Sequence, residues 1–193
     1  MIALKNLNLR AAIAAVALAG LAVSAPSFAK TAKNTNPNVG GAPMFASKNI
    51  VENAVNSKDH TTLVAAVRAA GLVDTLMSPG PFTVFAPTNA AFGKLPAGTV
   101  ETLVKPENKD TLTSILTYHV VAGKMTAADI AKAIKAGGGK ASLTTVNGGA
   151  LTAAMVGKKL VLTDSKGGKS TVTIANVMQS NGVIHVVDTV VLP

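Results

Sequence analysis

The C-terminal run Asn181-Gly182-Val183-Ile184-His185-Val186-Val187-Asp188-Thr189-Val190-Val191-Leu192-Pro193 constrains the fold more than any other stretch of the chain. Asn-Gly is a turn dipeptide, and the Val- and Ile-rich segment behind it favours a strand. Apolar residues fall on both faces, Val183 and Val187 on one, Ile184, Val186 and Val190 on the other. A strand apolar on both sides is buried on both sides. The pattern predicts a central strand over 183–192, so the domain must assemble around its own chain end. His185 and Asp188 are the only ionisable side chains in the run, and hence the first candidates for chemistry.

Upstream, helical spacing comes first and strand spacing later. Ile50, Val51, Ala54 and Val55 predict one helix; Asp59 as N-cap, with Leu63, Val64 and Val67 as its stripe and Gly71 as its stop, predicts a second. Phe82-Thr83-Val84-Phe85-Ala86-Pro87 reads as a short strand ended by proline, and Thr88 as the cap of a short helix carrying Ala91 and Phe92. Two further helical pieces cover 99–104 and 108–116, and Tyr118-His119-Val120-Val121 reads as a strand fragment. Thr126 to Asp129 resembles a capping box; the helix it opens buries Ile130, Ala133 and Ile134, exposes Lys132 and Lys135, and stops at Gly137-Gly138-Gly139. From Ala141 the period is two, with strands expected at about 142–147, 150–156, 159–163, 170–175 and 183–192. Helices followed by a meander of strands is an α+β pattern.

The N-terminus has a different character. Lys5 and Arg10 precede an apolar run, Ala11 to Val23, shorter than the ~20 residues of a membrane span. Ser27-Phe28-Ala29 then offers small residues at the two positions that a signal peptidase reads. This predicts a signal peptide over 1–29 and a mature chain beginning at Lys30. Residues 30–45, rich in Asn, Gly and Pro, read as a flexible linker, and 46–193 as one domain. Without Lys5 and Arg10, sixteen basic side chains face nine acidic ones, a charge of +7. There is no Cys, which excludes disulfides and thiol catalysis. The lysines are scattered, and an exported chain seldom meets nucleic acid; the surplus suits contact with anionic polysaccharide or lipid head groups, and equally a soluble basic surface.

Three stretches together resemble the fasciclin (FAS1) domain family. Gly80 to Phe92, containing Phe82, Pro87, Thr88 and Phe92, is similar to its first signature. Tyr118-His119 is similar to its Tyr-His segment, and Asn181-Gly182 through His185 and Asp188 to its second signature. The resemblance spans about Ile50 to Pro193 and is closest to the single-domain secreted bacterial members. It implies a wedge-shaped β-sandwich with flanking helices, mostly in the N-terminal half. It implies a secreted, extracellular or periplasmic adhesion module with no shared catalysis. Its partner would be a cell-surface or matrix protein or an anionic polysaccharide; membrane-surface and homotypic contacts are further options. In animal members an Asp-Ile pair before the second signature, and the Tyr-His segment, are implicated in integrin binding. Asn176-Val177 stands in place of the Asp-Ile pair in this chain, and no Arg-Gly-Asp is present.

The remaining chemistry is sparse. His60, His119 and His185 match no compact metal motif, and no metal or cofactor is expected. Ser114, His119 and Asp129, or Ser180, His185 and Asp188, supply the residue types of a hydrolase triad, but no serine sits in a G-x-S-x-G elbow. His119 and His185 lie in apolar runs and are expected to be hydrogen-bonded core histidines. Tyr118, His119, Lys132 and Lys135 are the candidate partner-binding residues. The alternative function is a small-ligand carrier or hydrolase working from a pocket near Tyr118 and His119.

Overall fold

The computed structural model of this protein describes residues 36–193. The predicted signal peptide and residues 30–35 lie outside the described residues. Residues 36–45, expected to be part of a flexible linker, are built into the domain. β1 (Asn38–Val39) and β2 (Ala42–Pro43) pair antiparallel, and Val39, Ala42 and Met44 are buried. The Asn36 side chain exchanges two hydrogen bonds with the Met178 backbone, at 2.7 and 3.1 Å. Single apolar residues among Asn, Gly and Pro have no period, which is why the sequence pattern did not reveal them.

α1 (Ile50–Ala54) opens with a complete capping box, Asn49 with Glu52. A 3-10 turn, Lys58–His60, leads into α2 (Thr61–Ala70), which stops at Gly71 with φ 71°. Asp59 is not the cap; it lies inside the turn. Asn89 supplies the missing acceptor instead, taking the Thr62 N–H at 3.0 Å from 27 residues away. α3 (Val73–Met77), β3 (Phe82–Pro87) and α4 (Asn89–Phe92) follow, and the Thr88 hydroxyl caps α4 at the Ala91 N–H. Next are α5 (Thr99–Leu103), a 3-10 turn at Pro106–Asn108, α6 (Lys109–Tyr118), β4 (Val120–Ala122) and α7 (Ala127–Ala136). Thr126 and Asp129 form the capping box of α7. The chain ends in β5 (Lys140–Thr144), β6 (Ala150–Val156), β7 (Lys159–Thr163), β8 (Lys169–Gln179) and β9 (Gly182–Val187).

The strands lie in the order β4-β3-β9-β8-β7-β6-β5. β9 is thus flanked on both sides, as its apolar faces demand, and every one of its residues is buried. It runs parallel to β3, with Phe82 opposite Gly182 and Pro87 opposite Val187; the other neighbours are antiparallel. The outer strands meet: Val121 bridges Thr145, and the Val146 N–H reaches the Val120 carbonyl at 2.7 Å. The sheet therefore closes into a barrel-like sandwich. Alternation along β3 and β9 divides the core. Val84, Ala86, Ile184 and Val186 face the helices, while Phe85 and Val187 face the sandwich interior with Leu151 and Leu162.

Further expectations differ from this fold. Tyr118 and His119 are not in a strand: Tyr118 ends α6 and His119 is its C-cap. The strand predicted to run to 192 ends at Val187, because the Asp188 carboxylate accepts the Thr171 N–H at 2.8 Å and turns the chain. The tail beyond it is still buried at Val190 and Val191. An apolar tail packed in irregular backbone has the same residue pattern as a strand.

Candidate functional site

The signature residues are built into the fold from opposite ends of the chain. His119 is 2% exposed, and both its ring nitrogens are engaged. Nδ1 donates to the Ile115 carbonyl at 2.8 Å, and Nε2 accepts the Val191 N–H at 3.1 Å. The pair of partners selects one neutral tautomer. Burial, against the pull of the Ile115 carbonyl and Asp164, lowers its pKa to about 4. Tyr118 is 1% exposed; its hydroxyl donates to the Ala150 carbonyl at 2.7 Å and accepts the Ser165 N–H at 3.2 Å. Burial raises its pKa. The two side chains read as candidates for partner contact are thus interior ties, from α6 to β6 and to the C-terminal tail.

His185 follows the same logic. Nε2 donates to the Met125 carbonyl at 2.9 Å, Nδ1 faces the Asn176 N–H at 3.4 Å, and the ring stacks on Phe85 with centroids 5.6 Å apart. Burial lowers its pKa. Asn176, which replaces the acid of the animal pair, has φ 60°, and its Oδ1 accepts the Ala127 N–H at 2.8 Å. It therefore caps α7 from β8. Asn181 joins three segments, accepting from the Ile50 N–H and donating to the Leu76 and Ser78 carbonyls. Phe92 packs in the helix-side core, Phe82 is half-buried against that same core, and Pro87 is buried at the end of β3.

Neither serine combination assembles. His119 and His185 spend their nitrogens on backbone groups, Asp129 is held by Thr126, and Ser114 accepts from Asn147. Asp188 binds Thr171 and Thr189 and stands 3.7 Å from Lys94. Burial raises its pKa, but these partners together outweigh it, so the carboxyl is held below its ordinary value.

A cavity of about 70 Å³ lies under α1, α2 and α3 against β3 and β9, with Ile50, Leu63, Val67, Leu76 and Ile184 in its walls. His119 reaches this wall but Tyr118 does not. His60 also lines it. Its Nδ1 is paired with the Ser57 hydroxyl at 2.9 Å, while its buried Nε2 has no hydrogen-bond partner. The Ala86 backbone favours the charged ring without completing that bond, and burial prevails, lowering the pKa.

The exposed chemistry is at the other end. Lys132 and Lys135 are exposed on α7, which packs on β5 and β6. Lys140 stands opposite Ala154, and Lys159 opposite Val156 beside Lys158, so the α7–β5 turn and the β6–β7 hairpin lie side by side. No Asp or Glu occurs between Ile130 and Thr163. Sequence reasoning found Lys132, Lys135, Lys158 and Lys159 but missed Lys140, because only strand register brings it to the β6–β7 hairpin. It also missed Asp164, whose carboxylate binds the Lys166, Gly168 and Leu192 N–H groups and holds the β7–β8 turn to the tail. The Asp-Ser-Lys-Gly-Gly string was the available signal, since Asp before such a turn closes it with its own side chain.

Known proteins supply a family match, two relatives and a fold match. The fasciclin domain model matches residues 58–193. Protein sll1483 of Synechocystis is 48% identical over 184 residues, 94% of this chain and 95% of that protein. Immunogenic protein MPB70 of Mycobacterium bovis is 39% identical over 145 residues, 72% of this chain and 66% of that one. In fold, the chain is similar to the FAS1 domain pair of the insect cell adhesion molecule Fasciclin I. The TM-score is 0.67 and the identity 19%, over 76% of this chain and 51% of that one.

Proposed function

The chain belongs to the fasciclin domain family, whose members are generally involved in cell adhesion, and on that premise we propose that it is an exported, non-catalytic binding module. It acts at the cell surface or in the extracellular matrix, through its lysine-rich outer end, on an anionic partner such as a surface or matrix protein or a polysaccharide. One observation carries this reading. Tyr118, His119 and His185 are consumed by internal hydrogen bonds, whereas Lys132, Lys135, Lys140, Lys158 and Lys159 stand exposed in a region free of carboxylates from Ile130 to Thr163. The N-terminal export pattern supports the location.

Attraction between exposed charges is screened over about 8 Å at physiological ionic strength. Binding should therefore be many-pointed and salt-sensitive. The test measures mature protein binding to purified envelope and to an anionic glycan at low and high salt, for wild type and for a Lys132→Glu, Lys135→Glu variant. Affinity is expected to fall with salt and again in the variant. Affinity unchanged in both comparisons removes charge from the mechanism.

The unpartnered His60 Nε2 favours a second reading, a small-ligand carrier. The site is then the cavity beneath α1–α3, not a pocket at Tyr118. At about 70 Å³ it is smaller than the roughly 150 Å³ apolar cavity that takes up benzene, so a ligand is limited to a few heavy atoms. Short-chain alcohols that raise the melting temperature of wild type but not of His60→Phe would support it.

A further inference from the structure

The β6–β7 hairpin turns through only Gly157 and Lys158, with Gly157 at φ 61°. A left-handed two-residue turn of this kind follows the twist of its strands and makes a narrow, well-defined tip. Its two outermost apolar side chains are not covered: Met155 is 42% and Val156 63% exposed. Met155 has the parity of the buried Leu151 and Ala153 and stands opposite the buried Leu160, while Val156 takes the other face, so the tip is apolar on both sides. Around this tip stand Lys158 in the turn, Lys159 opposite Val156, and Lys140 opposite Ala154. Lys135 lies in the last turn of α7, just before the glycine turn that enters β5. All five lie in the carboxylate-free stretch, with Lys132 near its edge in the field of Asp129.

We propose that this end of the molecule docks on an anionic lipid bilayer, with Met155 and Val156 entering the head-group layer and the surrounding lysines meeting lipid phosphates. The proposal rests on the binding-module reading and takes its anionic partner to be lipid. Three physical points favour a bilayer. A bilayer interface takes apolar side chains and cations at nearly the same depth. Lysine stems lie along apolar surface while their ammonium groups stay with water and phosphate. A hydrated polysaccharide offers nothing to Met155 and Val156, and a two-residue tip is far short of the roughly 800 Å² per partner that an ordinary protein interface buries.

The experiment is vesicle flotation of the mature protein with phosphatidylcholine vesicles and with phosphatidylcholine–phosphatidylglycerol vesicles, alongside a soluble anionic glycan. Wild type is expected on the mixed vesicles and not on phosphatidylcholine vesicles, less so at high salt. A Met155→Ser, Val156→Ser variant should bind them about tenfold more weakly at an unchanged melting temperature. The chain contains no Trp, so Val156→Trp provides a single reporter, whose emission should shift to the blue with mixed vesicles only. Wild-type affinity in the serine variant, an unshifted reporter, or equal binding to phosphatidylcholine would overturn the proposal. Glycan binding without vesicle binding overturns it and leaves the broader reading standing. Failure on every anionic surface overturns both.

Discussion

His119 shows how much one side chain carries in this fold. It joins the end of α6 to the C-terminal tail through two buried hydrogen bonds. Removing one member of such a bond costs roughly 1–3 kcal/mol. His119→Ala and His185→Ala should each lower the melting temperature; variants that melt like wild type but lose binding would make these histidines functional instead. Acid should act in the same direction. The folded state holds His119 near 4 against an ordinary 6.5, so the unfolded chain takes up the proton first. Stability from this source is full above 6.5, falls as pH drops toward 4, and changes no further below that. The loss is on the order of 3 kcal/mol, with His185 and His60 pulling the same way. Denaturant midpoints measured from pH 7 to 4 check it, and the slope should shrink in His119→Gln. Gly182 is limited by space: a Cβ there would lie 2.1 Å from the Phe82 carbonyl. Gly182→Ala should therefore cost about 3 kcal/mol by pushing β3 from β9, read as a fall in denaturant midpoint.

At the scale of elements, α7 is held at its N-terminus by residues distant in sequence. Asn176 caps it, His185 takes the Met125 carbonyl, and Thr83 accepts the Met125 N–H at 2.8 Å. Asn176→Ala removes the cap and puts a Cβ residue of poor left-handed propensity at φ 60°, for a loss of about 1–2 kcal/mol. Asn176→Gly keeps the backbone at ease and should lose less, while Asn176→Asp keeps the acceptor and should melt near wild type. Thermal melts of the three variants separate bond from backbone. The same bond occupies the side-chain oxygen, and the carboxylate is absent, so integrin-type adhesion through this position is not expected. Cell spreading on immobilised protein that Asn176→Ala abolishes would contradict that expectation. The helices and hairpins with local signals were legible in the sequence: the Thr88 and Thr126 caps, the Gly71 stop and the β6–β7 turn all stand where expected. The α2 cap was not, because its acceptor, Asn89, comes from another helix.

At the scale of the whole molecule, the N-terminal arm is the least anticipated part. Val39, Ala42 and Met44 join the helix-side core, and Asn36 pairs with β8. A chain beginning at Ala46 loses all of these contacts. It should be less stable than the mature chain by about 3–5 kcal/mol on area grounds, which chemical denaturation will measure. Equal stability of the two would return this arm to the status of a linker.

The sequence by itself determined that β9 is central, that the fold is α+β, and that the chain carries the fasciclin signatures. Each of these rests on residue patterns a few positions long, where side-chain period and turn chemistry act locally. Only the tertiary structure decided what the signature side chains do. A histidine in an apolar run reads the same whether it faces a groove or a carbonyl, and His119 found Ile115 four residues back and Val191 at 72 residues' distance. The grouping of Lys135, Lys140, Lys158 and Lys159 around an uncovered Met155 and Val156 was decided there too. Strand register and the packing of α7 on β5 and β6 bring those charges together, and neither is written in any one segment.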